Sequence, residues 1–202
     1  MERLLNSAER PNRISISVAE LLDAQNNRDP HFWYDPRTMP AVANALSNTL
    51  TTLDPANAEH YERRRNSYVA ALAPLNAKIS AIRQRFAGTA ITATEPVFGY
   101  MADALGLEMT NDAFQTAIMN ETEPSARAIA KIIDDITSGS IKVLIYNVQV
   151  GNAMTNQLLA IAEEANVPIV GISERPLQGV AYITWMMDQL DQLENALVGR
   201  PS

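Results

Sequence analysis

The chain has 202 residues, of which 47% are hydrophobic and 19% charged, the balance of an ordinary folded globular protein. Its net charge of −7, with no Lys/Arg-rich run, argues against a nucleic-acid partner and leaves cationic ligands open. It has no cysteine, which excludes disulfides, thiolate metal sites and cysteine nucleophiles.

No apolar run approaches the roughly 18 residues needed to span a bilayer, and MERLLNSAERPNR lacks the apolar core of a signal peptide. As given, the chain is expected neither to insert into a membrane nor to direct its own export. Residues 1–13 read as a loose polar lead-in. Ile14, Ile16 and Val18 alternate with Ser15 and Ser17, the pattern of a short strand, and 19–24 follow as a helical turn.

Residues 29–36, DPHFWYDP, place His31 and three aromatic rings between two Asp-Pro pairs. Each proline disfavours helix at the residue before it, so His31 sits on a stiff loop. Such a loop suits a metal ligand or a catalytic base, and equally an aromatic plug with a satisfied histidine. Asp35 and Pro36 read as an N-cap and first helical position, opening a helix to about residue 53. Asp54-Pro55 opens a longer one, over 56–86, along Tyr61, Tyr68, Leu72, Leu75, Ile79, Ile82 and Phe86. It is expected to pack into the core along this seam and to kink near 70–73, because Pro74 removes a backbone donor. His60 falls on its polar side and reads as solvated.

The stretch 90–106, AITATEPVFGYMADALG, reads as a strand running into a helix. Ile91, Thr92 and Thr94 suit a strand, Pro96 suits a first helical turn, and Gly106 suits a left-handed cap. Glu95 therefore stands at the carboxyl end of a strand, the edge at which open α/β sheets bind ligands. It also stands where a carboxylate answers a helix dipole, and the residues alone leave both roles open. A short strand over 107–109 and a loop over 110–124 come next. Ser125 caps a helix with an isoleucine stripe that ends at Gly139.

IKVLIY, 141–146, has the unbroken apolar run of a buried parallel strand, with Asn147 and Gln149 at its carboxyl end. A helix over 154–165 leads to the strand 167–172, which ends in Ser173, Glu174 and Arg175. A helix over 179–198 closes the chain. The alternation predicts an α/β fold: a four-stranded parallel sheet flanked by helices, with a long kinked helix beside it. Glu95 and Glu174 then share one sheet edge. With His31 they offer a nitrogen–oxygen cation site. Paired carboxylates also serve glycoside hydrolysis, but no other feature points to a saccharide. No phosphate loop, G-x-S-x-G elbow or H-E-x-x-H is present.

DPHFWYDP, TATEPVFGYMADALGL, the Y-N-V-Q-V that follows the third strand and the closing Y-x-x-W-M resemble the metal-binding substrate-binding proteins of bacterial ABC transporters. The resemblance spans about 14–198. It implies a non-enzymatic, periplasmic receptor for zinc, manganese or iron that serves a transporter permease. It implies metal ligation by His31, Glu95 and Glu174. It further implies a division into an amino-terminal segment (1–54), a linking helix (55–88) and a carboxyl-terminal α/β lobe (89–202). In that family another lobe supplies one more histidine; no match to it is expected ahead of the D-P-H motif here. Homo-oligomers and a stand-alone interaction domain with a relic metal site remain alternatives.

Overall fold

The computed structural model describes residues 13–24 and 29–199. Its centre is a four-stranded parallel sheet in the order β2-β1-β3-β4. The strands are β1 (Ala90–Ala93), β2 (Glu108–Thr110), β3 (Leu144–Asn147) and β4 (Ile169–Ile172). Successive side chains alternate between faces. Ile91, Val143, Ile145, Val170 and Ile172 enter one core, and Ile141, Leu144 and Ile169 the other.

Ahead of the sheet run α1 (Val18–Leu21), α2 (Thr38–Leu53), α3 (Ala58–Ala71) and α4 (Ala73–Phe86). After β1 come α5 (Gly99–Leu105), α6 (Asp112–Met119), α7 (Ala126–Thr137), α8 (Ala153–Glu164) and α9 (Tyr182–Val198). Helices α4, α5 and α9 cover the first face; α6, α7 and α8 cover the second. Burial on both faces explains the continuous apolar runs of β3 and β4.

The predicted long helix is present and bent. It is interrupted at Leu72, between α3 and α4, just ahead of Pro74 in the first turn of α4. Proline has no N–H to return to Ala70, so the ladder breaks where the ring demands it. Only part of the predicted seam is core: Leu72, Leu75, Ile79 and Ile82 are buried, whereas α3 buries no residue. Lys78 and Arg85 of α4 pair with Asp191 and Glu194 of α9, tying the bent helix to the carboxyl-terminal one.

Three further expectations need correction. Residues 14–17 form no strand: Ile14 is 54% exposed, and Ser17 instead caps α1 by accepting the Glu20 N–H. The expected loop over 110–124 contains α6, which buries Phe114 and Ile118 one turn apart. Asn111 begins that helix in the left-handed region, at φ 67°. Helix α2 starts at Thr38 and not at Pro36, because Asp35 turns its carboxylate to the Arg37 N–H (2.9 Å) and guanidinium.

Candidate metal centre

In the strand order, β3 lies between β1 and β4. Sheet connections change direction beside β1, which opens a crevice at the carboxyl ends of β1 and β3. Register decides what meets there. Ala93 pairs with Ile145, so Glu95, two residues on, comes level with Asn147. Asn147 pairs with Ile172, so Glu174, again two residues on, reaches the same level.

The side chains complete the arrangement. Asn147 Nδ2 donates to Glu95 Oε2 at 2.9 Å and to Glu174 Oε1 at 2.7 Å. The two carboxylates therefore stand within two hydrogen-bond lengths of each other, joined by one amide. Gln149 secures both neighbours: its N–H donates to Asn147 Oδ1 at 3.0 Å, and its Oε1 accepts the Glu174 N–H at 2.9 Å. Glu95 is only 8% exposed. It lies just before Pro96, which occupies the first turn of a short 3₁₀ segment, and its side chain makes no capping bond there. The carboxylate is turned to Asn147 and away from the helix end.

His31 lies on the DPHFWYDP loop and is buried. Its Nδ1 is 2.6 Å from Asp29 Oδ1, and its backbone N–H donates to the same oxygen at 3.0 Å. A carboxylate accepts from Nδ1–H, which leaves the ring lone pair on Nε2. This is how a metal-ligating imidazole is commonly oriented. Trp33 stands edge-on to the ring, with centroids 5.4 Å apart.

The loop spans the sheet edge and is tied down at both ends of the crevice. On the β1 side, the Tyr100 hydroxyl of α5 donates to the Asp29 carbonyl at 3.1 Å. On the β4 side, the Tyr34 hydroxyl lies 2.7 Å from the Ser173 carbonyl and 2.7 Å from Gln189 Oε1. The Tyr182 hydroxyl donates to the Trp33 carbonyl at 2.9 Å, and Trp185 Nε1 donates to Ser173 Oγ at 2.9 Å. Burial pushes the Tyr34 and Tyr182 hydroxyls well above their ordinary pKa, so both stay neutral donors.

Glu95 and Glu174 are thus brought together, and the His31 loop is anchored over the same edge. Among the described residues no three His, Cys, Asp or Glu side chains close on one point as a ready metal cage. The donors suit a divalent cation: two carboxylates that meet on one amide, and, on the adjoining loop, an imidazole whose Nδ1 faces Asp29. Sequence reasoning gave no part to Asn147, Gln149 or Asp29. The signal for Asn147 was its place at the end of an apolar strand, level with two others that end in acids.

The family model for the periplasmic zinc-uptake complex component A matches residues 1–196. The high-affinity zinc uptake system protein ZnuA of Bacillus subtilis is 26% identical over 175 residues, covering 84% of this chain and 54% of that protein. The manganese ABC transporter substrate-binding lipoprotein PsaA of Streptococcus pneumoniae is 23% identical over 192 residues, covering 87% and 59%. The chain thus spans little more than half the length of either relative. In fold, the periplasmic zinc-binding protein TroA from Treponema pallidum aligns with a TM-score of 0.74 at 18% identity, covering 95% of this chain and 74% of that one. Matched along nearly all its length, the chain belongs to the family of the periplasmic zinc-uptake component A.

Proposed function

We propose that this chain binds a divalent transition-metal ion at the carboxyl edge of its sheet and delivers it, outside the cytoplasm, to the permease of an ABC importer. The meeting of Glu95 and Glu174 on Asn147 carries this reading. His31 would contribute Nε2, and the glutamates oxygen. The relatives' names, zinc for one and manganese for the other, support the class of cargo. Two carboxylates harden the donor set and favour manganese or iron, although zinc also accepts carboxylates. The role is one of binding and release, without catalysis.

No cage of three acidic or histidine side chains is assembled among the described residues, so binding requires these groups to rearrange. Calorimetric titration with Mn²⁺ and Zn²⁺ should give a dissociation constant of roughly micromolar or weaker. Glu95→Gln should weaken binding by about tenfold or more. His60→Ala should leave it unchanged, since His60 is exposed on α3 with its ring edge-on to Tyr61. Undiminished binding by Glu95→Gln would place the site elsewhere.

One observation favours a second reading, contact with another protein. Helices α2 and α3 frame an open groove of about 370 Å³ lined by Met39, Val42, Leu46, Leu50 and Tyr68. A chain that folds, self-associates and ignores both metals would move the assignment there.

A further inference from the structure

We propose that the open edge of β4 takes up an extended, basic segment of another protein as an added strand. Strand β4 lies at the end of the sheet, paired with β3 alone. The Leu144 N–H donates to the Pro168 carbonyl and the Val148 N–H to the Ile172 carbonyl, so alternate residues of this stretch, Pro168, Val170 and Ile172, turn their backbone to β3. Ile169 and Gly171, between them, turn theirs outward. Their N–H and C=O groups have no partner among the described residues. Exposed strands are commonly blunted by a charge, a proline or a bulge. The residues of β4, IVGI, include neither of the first two, and the register with β3 runs unbroken.

A groove lies along this edge. Beside β4 and α8 is an open cavity of about 510 Å³, lined by Tyr146, Leu159, Glu163 and Ile169. It shares Val148, Gly171 and Gln192 with a second cavity of about 170 Å³, lined by Leu177, Val180, Trp185 and Asp188. Val148 is 54% exposed and Leu177 81%, so apolar surface flanks the bare backbone. The charged residues that line the two cavities, Glu163 and Asp188, are both acidic, and neither carboxylate has a hydrogen bond or ion pair among the described residues. A second copy of this chain would set its own carboxylates against them, whereas lysine or arginine complements them. Glu163 stands on α8 and Asp188 on α9, which cover opposite faces of the sheet. Side chains of an added strand alternate between those faces, so its two basic residues stand an odd number of positions apart. Main-chain bonds to Ile169 and Gly171 supply affinity, and the residues between the two bases pack on Val148 and Leu177.

The test is amide hydrogen exchange and NMR titration of the protein with the peptide acetyl-Thr-Lys-Val-Val-Lys-Thr-amide. At saturation the Ile169 and Gly171 amides should exchange about tenfold more slowly, while those of Val170 and Ile172, already bonded to β3, change little. Exchanging Glu163 and Asp188 for lysine together should weaken binding about tenfold. A peptide with glutamate in place of both lysines should show the same loss against wild type, with no variant having to fold. Absence of binding to wild type, equal binding of the glutamate peptide, or binding without protection at Ile169 and Gly171 overturns the proposal. Protection of those two amides in the free protein, together with a dimer in sedimentation, assigns the edge to a second copy and overturns it too.

Discussion

Asp135 of α7 is held by contacts from two elements. Lys131 Nζ approaches Oδ2 at 2.6 Å from one turn earlier, and Asn111 Nδ2 donates to the same oxygen at 2.9 Å from the start of α6. Burial raises the carboxyl's pKa, but the Lys131 ammonium and the Asn111 amide together outweigh it and hold the group below its ordinary value of 3.8. A depressed folded value means that the unfolded chain takes up the proton first. The contribution is fully present above 3.8 and is lost as pH falls through the folded value. Lys131 is well solvated, so the effect is small, about 0.5 kcal/mol. Asp135→Asn should show a correspondingly shallower loss of stability below pH 4 in urea titrations. An identical acid limb in both proteins would mean that Asp135 is not among the groups that set it.

At the scale of the element, helix ends are the places most sensitive to single changes. Helix α5 stops at Gly106, whose φ of 68° lies in the left-handed region. Its N–H returns to Asp103, and the Leu107 N–H returns to Ala102. A side chain here meets two penalties: the backbone conformation itself, and Ala87 Cβ at 3.2 Å from the position of an added Cβ. Gly106→Ala should cost about 1–2 kcal/mol, read as a lower midpoint in thermal unfolding. The long helix carries the opposite lesson. Its apolar spacing runs through α3 and α4 alike, yet only α4 lies against the sheet, because spacing reports which face is apolar and not what covers it. Helix α6 went unread for a related reason. It buries Phe114 and Ile118 with the polar Gln115 beside them, and Asn111 starts it from a conformation no sequence period announces.

For the molecule as a whole, what was legible followed from chain direction. A strand that ends in Glu95-Pro96 and another that ends in Ser173-Glu174 place both acids at one edge of any parallel sheet. Alternation of strands and helices makes the sheet parallel. Strand order is a different kind of information. It depends on which crossover passes over which strand, and it alone puts β3 between β1 and β4 and Asn147 between the glutamates. Ile14 and Ile16 show the converse: alternation without a neighbouring strand makes no sheet, and these side chains remain exposed. The aromatic motif of residues 31–34 was visible as a stiff loop. Its purpose as a strap from α5 to β4 needed the distant hydroxyl partners.

That strap has a kinetic consequence. Its anchors are far along the chain: Tyr34 reaches Ser173 and Gln189 across 139 and 155 residues, and Trp33 meets Tyr182 across 149. Closing such loops is entropically unrewarded until β4 and α9 are in place. The strap and the sheet edge beneath it should therefore be among the last structures to assemble during folding and among the first to loosen. Tyr34→Phe keeps the ring but deletes the hydroxyl, at a cost of about 1–3 kcal/mol. In stopped-flow measurements nearly all of that cost should appear as faster unfolding, with the refolding rate close to wild type. A variant that instead refolded slowly would show the strap closing early, ahead of the sheet edge it spans.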